Sequence, residues 1–143
     1  MEFSIARYDF TAAGEAATKI KRVLRQLGLD AETVRRVAVA AYEAEMNLVI
    51  HSTQGGRLAL SVDSDKVTLT AEDTGPGIPD IDLAMREGYS TAPDEVREMG
   101  FGAGMGLPNM KRCADQFRIE SAVGSGTTVE IVVKVPKVGA ADA

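Results

Sequence analysis

The sequence predicts an α+β fold: a two-layer sandwich of a mixed, mostly antiparallel sheet with helices on one face. Three observations carry this. Short alternating segments come in neighbouring pairs joined by turns, as in hairpins. The helical periodicities cluster, two in succession early and one late, without the strict strand–helix alternation of a doubly wound sheet. The composition of the 143 residues, 45% hydrophobic and 26% charged, suits a globular core.

In order along the chain, Phe3 and Ile5 mark a short edge strand. From about Ala12 to Leu27, the residues Ala16, Ile20, Val23, Leu24 and Leu27 recur at helical spacing, and Gly28 ends the helix. Asp30 is a suitable N-cap for a second helix from about Ala31 to Ser52. Thr53–Gly56 reads as a turn. Arg57–Val62 and Lys66–Ala71 alternate around Asp63-Ser64-Asp65 and form a hairpin. Glu72–Gly106 is irregular and holds seven of the 14 glycines, which in a compact domain points to function or mobility. A helix is expected from about Leu107 to Gln116, then strands near Phe117–Ala122 and Thr127–Val135. One domain over 1–136 and a frayed tail over 137–143 complete the expectation.

Lys and Arg number 16 against 21 Asp and Glu, a net charge of −5. With no long basic run, a nucleic-acid partner is not expected. The one cysteine, Cys113, cannot form an internal disulfide. Neither a signal peptide nor a run of ~18 apolar residues is present, so no membrane association and a cytoplasmic location are expected.

The second helix is apolar nearly all round. Glu43 and Asn47 nevertheless share a face, about 40° apart at ~100° per residue. Such groups cost free energy unless satisfied. Either Glu43 pairs with an arginine and Asn47 caps a loop, or both line a cleft. In a cleft, Asn47 offers a hard oxygen for magnesium and Glu43 could deprotonate a nucleophile. His51, the single histidine, reads as a structural donor.

Two glycine clusters flank the irregular region. In Asp73-Thr74-Gly75-Pro76-Gly77 a carboxylate sits at a strand end, where it could accept from an amino group such as that of adenine; a plain turn is the alternative. In Gly100-Phe101-Gly102-Ala103-Gly104-Met105-Gly106-Leu107 alternate glycines lead into a helix, whose N-terminus favours an anion; a flexible hinge is the alternative. It matches neither the dinucleotide fingerprint nor the P-loop. Gly124-Ser125-Gly126-Thr127 is a hairpin turn whose Thr127 could reach a ligand.

Taken together, these motifs resemble the GHKL superfamily of gyrase, chaperone, histidine-kinase and mismatch-repair ATPases. Glu43-Ala44-Glu45-Met46-Asn47 resembles its N box, the two glycine clusters its glycine boxes, and Gly126-Thr127 its last element. Within it, Gly75–Asp80, Ala84-Met85, Gly88–Thr91 and Gly104–Arg112 resemble the anti-sigma-factor and switch serine/threonine kinases of bacterial stress signalling. The resemblance implies the Bergerat ATP-binding fold, with ATP and Mg2+ as cofactors. Asn47 would be the metal ligand and Glu43 the catalytic base. Asp73 would read the adenine amine, with Thr127 supporting it, and Gly75, Gly77 and Leu107 would complete the nucleotide site. Gly102, Gly104 and Gly106 would cradle phosphates beneath a lid over 90–102, in which Arg97 is the candidate contact to the terminal phosphate. Leu48, where many histidine kinases have alanine, is expected to reshape packing near the metal. The implied function is a serine/threonine kinase of a partner-switching pathway. It would phosphorylate a STAS-type antagonist and regulate sigma-factor or stress signalling. A sigma factor or a downstream phosphatase would be a further partner, and a homodimer is compatible. The alternatives are a nucleotide-gated anti-sigma binding module with little turnover and a stand-alone ATPase subunit of a histidine kinase.

Overall fold

The computed structural model describes residues 1–6, 12–52, 55–73, 75, 77, 78, 81, 85 and 106–136. Its elements are β1 (Glu2–Ile5), α1 (Glu15–Gln26), α2 (Ala31–His51), β2 (Gly56–Val62), β3 (Lys66–Asp73), α3 (Gly106–Cys113), β4 (Gln116–Ala122) and β5 (Gly126–Lys134). The strands form one five-stranded sheet in the order β1-β2-β3-β5-β4. Every pairing among these described strands is antiparallel, and among the described residues no parallel pair makes the mostly antiparallel sheet a mixed one.

Strand alternation divides the sheet into two faces. Leu58, Leu60, Val67, Leu69, Ala71, Val129, Ile131 and Val133 point inward and are buried. Polar residues occupy the outer face, where Arg57 pairs with Glu72 at 3.0 Å and with Glu2 at 3.6 Å. These pairs are half exposed and add little stability. α2 lies across the inner face, and α1 and α3 pack beside it. Val34, Val37, Ala40, Ala41, Ala44, Leu48 and Val49 of α2 join the core.

Helix ends are set by capping groups, some local and some from another element. Asp30 caps α2 as expected, accepting from the Thr33 N–H at 3.0 Å and the Thr33 hydroxyl at 2.6 Å. The hydroxyl bond is the main reason that the Asp30 carboxyl lies below its ordinary value. α1 starts at Glu15, not near Ala12, because Gly14 adopts φ +93. Gly14 supplies no side-chain cap; Glu45, reaching over from α2, does so. Its carboxylate accepts from the N–H groups of Gly14 at 3.0 Å, Ala16 at 3.3 Å and Ala17 at 3.0 Å. A negative charge at a helix N-terminus also meets the positive end of the dipole.

α3 ends at Cys113, earlier than expected, because two partners take over there. Arg36 of α2 donates from Nε to the Cys113 carbonyl at 2.9 Å and pairs with Asp115 at 3.2 Å. The other Asp115 oxygen accepts from the Lys134 N–H at 2.6 Å. That backbone bond, reinforced by Arg36, holds the Asp115 carboxyl below its usual value. One arginine thus joins α2 to α3 and, through Asp115, to β5. Among the described residues, no helix is long and apolar enough to cross a membrane. The tail over 137–143 lies outside the described residues.

Glu45 is 2% exposed, so its three bonds have no water to replace them. Glu45→Ala is expected to cost about 2–3 kcal/mol of unfolding free energy, and Glu45→Gln less, since one acceptor oxygen remains. Urea denaturation checks this. A loss below about 0.5 kcal/mol would show that α1 does not depend on the cap.

Candidate functional site

The polar residues singled out in the sequence fall on the inner side of the sheet, on facing elements. Glu43 and Asn47 lie one turn apart on α2, both half-buried. Gly106, the first residue of α3, faces them. A Cβ added there would stand 3.4 Å from Glu43 Oε2 and 3.8 Å from Asn47 Oδ1. Glu43 finds its partner in Asn109, whose Nδ2 donates to Oε1 at 3.3 Å. This is a side-chain amide of α3, not the arginine of the alternative reading. The Asn47 side chain has no hydrogen-bond partner among the described residues, so it caps none of the described loops.

The strand ends supply the second half of the site. Asp73 is the last residue of β3 and pairs with Thr127 of β5, and inward-facing Ala71 and Val129 precede and follow them. Alternation therefore sends Asp73 and Thr127 to the helix side. Thr127 Oγ1 lies 2.8 Å from Ser121 Oγ of β4, and Ser121 Oγ accepts from the Ile78 N–H at 2.6 Å. Asp73 Oδ1 accepts from the Gly75 N–H at 2.8 Å, the turn geometry that short acidic residues favour. That bond occupies one carboxylate oxygen.

The glycines have separable tasks. Gly77 adopts φ +79, and a Cβ on it would run into the Ala122 carbonyl. Its work is close packing of the loop after β3 against the β4–β5 turn. Leu107 is buried and anchors α3 to the core. Leu48 points away from Asn47 and against β2: a Cβ on Gly56 would stand 2.5 Å from Leu48 Cδ2. The bulk of Leu48 is thus accommodated by a glycine of β2. Burial is the main influence on the Cys113 thiol and pushes it up, which favours the neutral thiol over the reactive thiolate. Gly102, Gly104, Arg97 and the lid segment 90–102 lie outside the described residues, as does the His51 side chain.

Among the described residues no cluster of three His, Cys, Asp or Glu could cage a metal. An amide oxygen with no partner among the described residues fits magnesium, which takes few protein ligands and completes its shell with phosphate oxygens and water. Sequence reasoning named Glu43, Asn47, Asp73, Gly106 and Thr127, and the fold brings them to one side. It passed over Ser121, which has the ordinary look of a strand serine, and gave Asn109 no role beyond its place in Gly104–Arg112.

A helix bearing Glu and Asn one turn apart, set beside antiparallel strand ends bearing Asp and Thr, is the arrangement that the resemblance to the GHKL ATPases implied. The model of the histidine kinase-, DNA gyrase B-, and HSP90-like ATPase family matches residues 32–137, and the chain belongs to that family. It is 30% identical over 132 residues to the serine/threonine-protein kinase RsbT of Bacillus subtilis (strain 168), covering 90% of each chain. It is 29% identical over 137 residues to the anti-sigma F factor of Pasteuria penetrans, covering 89% of this chain and 88% of that one. Among solved structures it resembles the RsbU and RsbW domains of a Mycobacterium tuberculosis protein. The TM-score is 0.62 at 17% identity, over 94% of this chain and 31% of that one. It also resembles the SiaB-SiaC complex from Pseudomonas aeruginosa, with a TM-score of 0.62 at 11% identity, over 93% and 88%. At these identities the structural likeness speaks for the fold.

Gly106→Ala would place a methyl between Glu43 and Asn47. The contact is ordinary in length, so the fold should survive, while affinity for ATP with magnesium should fall about tenfold or more. Calorimetry checks this, and unchanged affinity would remove Gly106 from the site.

Proposed function

We propose that this chain is an ATP-dependent serine/threonine protein kinase of a partner-switching pathway. Its acceptor would be a STAS-type antagonist protein, and its setting the regulation of a sigma factor or stress response in the cytoplasm. The kinase domain would span 1–136. The observation that carries the reading is the convergence of Glu43 and Asn47 on the start of α3, with Asp73 and Thr127 on adjoining strand ends. Similarity to a serine/threonine-protein kinase and to an anti-sigma F factor over most of the chain supports the choice of acceptor.

The roles follow from the chemistry of each group. Bound ATP and magnesium would supply the phosphoryl group and the charge that neutralises its oxygens. Asn47 would hold the metal through Oδ1. The Asp73 oxygen not bonded to Gly75 would accept from the adenine amine, with Thr127 beside it. The backbone of Gly102, Gly104 and Gly106, with the N-terminus of α3, would bind phosphate oxygens. Arg97 would meet the terminal phosphate. Glu43 would orient the acceptor hydroxyl and take its proton through Oε2, the oxygen that faces Gly106. Most of the catalysis would come from positioning and fixed donors.

The test uses ATP labelled on its terminal phosphate and the STAS-domain protein that co-purifies with the chain from its native cell. Acid-stable label on a serine or threonine of that protein is expected. Glu43→Gln should keep ATP affinity and lose phosphoryl transfer by about 100-fold or more. Acid-labile label on histidine would favour a histidine-kinase subunit. Full turnover by Glu43→Gln would leave Glu43 a structural role alone.

A further inference from the structure

Asn109 stands in the first turn of α3, and its bond to Glu43 joins two elements that packing already holds together. Leu107, Pro108 and Met110 of the same helix are buried. The carboxyl end of α3 is fixed separately by Arg36 at the Cys113 carbonyl. α3 therefore does not need Asn109 in order to dock. Asparagine is also a weak helix former, because its amide competes for nearby backbone groups. Here that amide is engaged instead by a half-buried carboxylate on another helix.

The orientation is determined by chemistry. A carboxylate only accepts, so the amide nitrogen of Asn109 must face it. Nδ2 takes Oε1, and Oε2 is left on the side of Gly106 and Asn47 Oδ1. The last torsion of a glutamate is soft, and an unheld carboxylate presents either oxygen over a broad range. One fixed oxygen gives the other a direction.

We infer that Asn109 is a positioning residue: by holding Glu43 Oε1 it aims Oε2 into the space beside Gly106, where a hydroxyl would give up its proton. The inference rests on the reading of Glu43 as the base. Because α3 begins at the end of the second glycine cluster, the same bond ties the base to the segment proposed to cradle the phosphates.

The test measures ADP release from magnesium-ATP with water as the acceptor. Asn109→Leu keeps the size of the side chain and the helix while removing the donor. It should lower kcat about tenfold, leave KM for ATP within about twofold, and leave the thermal midpoint within roughly 2 °C. Asn109→Gln, with its donor on a longer arm, should recover part of the lost kcat. In a Glu43→Gln background, Asn109→Leu should cause no further loss. Wild-type kcat in Asn109→Leu would overturn the inference. So would a fall in kcat matched by a higher KM and a lower midpoint, which is the pattern of a packing residue. The two layers separate cleanly. If Glu43→Gln is inactive while Asn109→Leu is fully active, only the positioning role fails. If Glu43→Gln retains full kcat, the base assignment fails and the inference with it.

Discussion

The burial of α2 across the inner face of the sheet is the constraint on which the other features depend. A 21-residue helix in that place must be apolar on most of its surface, and each polar exception must be answered by a neighbour. Arg36 is answered by the end of α3 and by Asp115. Glu45 is answered by the start of α1. Glu43 is answered by Asn109. Arg36 and Glu45 tie the two outer helices to the central one, and the Glu43–Asn109 bond joins helices that packing already holds together. Asn47 has no such neighbour among the described residues, and it lies where α3 begins. The same helix therefore assembles the helical layer and carries one hard oxygen with no partner among the described residues.

The sheet imposes a matching order at its end. Register pairs Asp73 with Thr127, and Thr127 reaches Ser121 on the next strand. These groups face the helices only because the strands keep their alternation to the last residue. The loop after β3 is held in place by the Ile78 N–H on Ser121 and by the bare backbone of Gly77 against Ala122. Polar and small residues gather where strands end and helices begin, at positions that the packed core does not need for its own stability.

Much of this was legible in the sequence, for local reasons. Periodicity, turn residues and the Asp30 cap located the described helices and strands to within a few residues. Glu43 and Asn47 stood out because a polar pair on an apolar helix demands an explanation. Glu45 sat in the same motif without a role, since nothing local says that a carboxylate will cap a helix 30 or so residues away. Ser121 was unremarked, and Asn109 lay inside the Gly104–Arg112 motif without a role, for the same reason: their partners lie 43 and 66 residues distant. Leu48 was expected to reshape packing near the metal, and its side chain packs against Gly56, a pairing set by the docking of α2 on β2. Gly102, Gly104 and Arg97 lie outside the described residues, and their roles rest on the resemblance.

A nucleotide held between α2 and the strand ends requires that the carboxylate at the end of β3 recognise the base. Calorimetry of ATP and GTP, each with magnesium, on the wild-type chain and on Asp73→Asn tests this most directly. ATP should bind the wild type at least about tenfold more tightly than GTP, which lacks the amine that Asp73 would receive. Asp73→Asn should lose roughly that preference and keep the fold. Equal affinity of the wild type for both nucleotides, or unchanged ATP affinity in Asp73→Asn, would contradict a base-reading site at the end of β3.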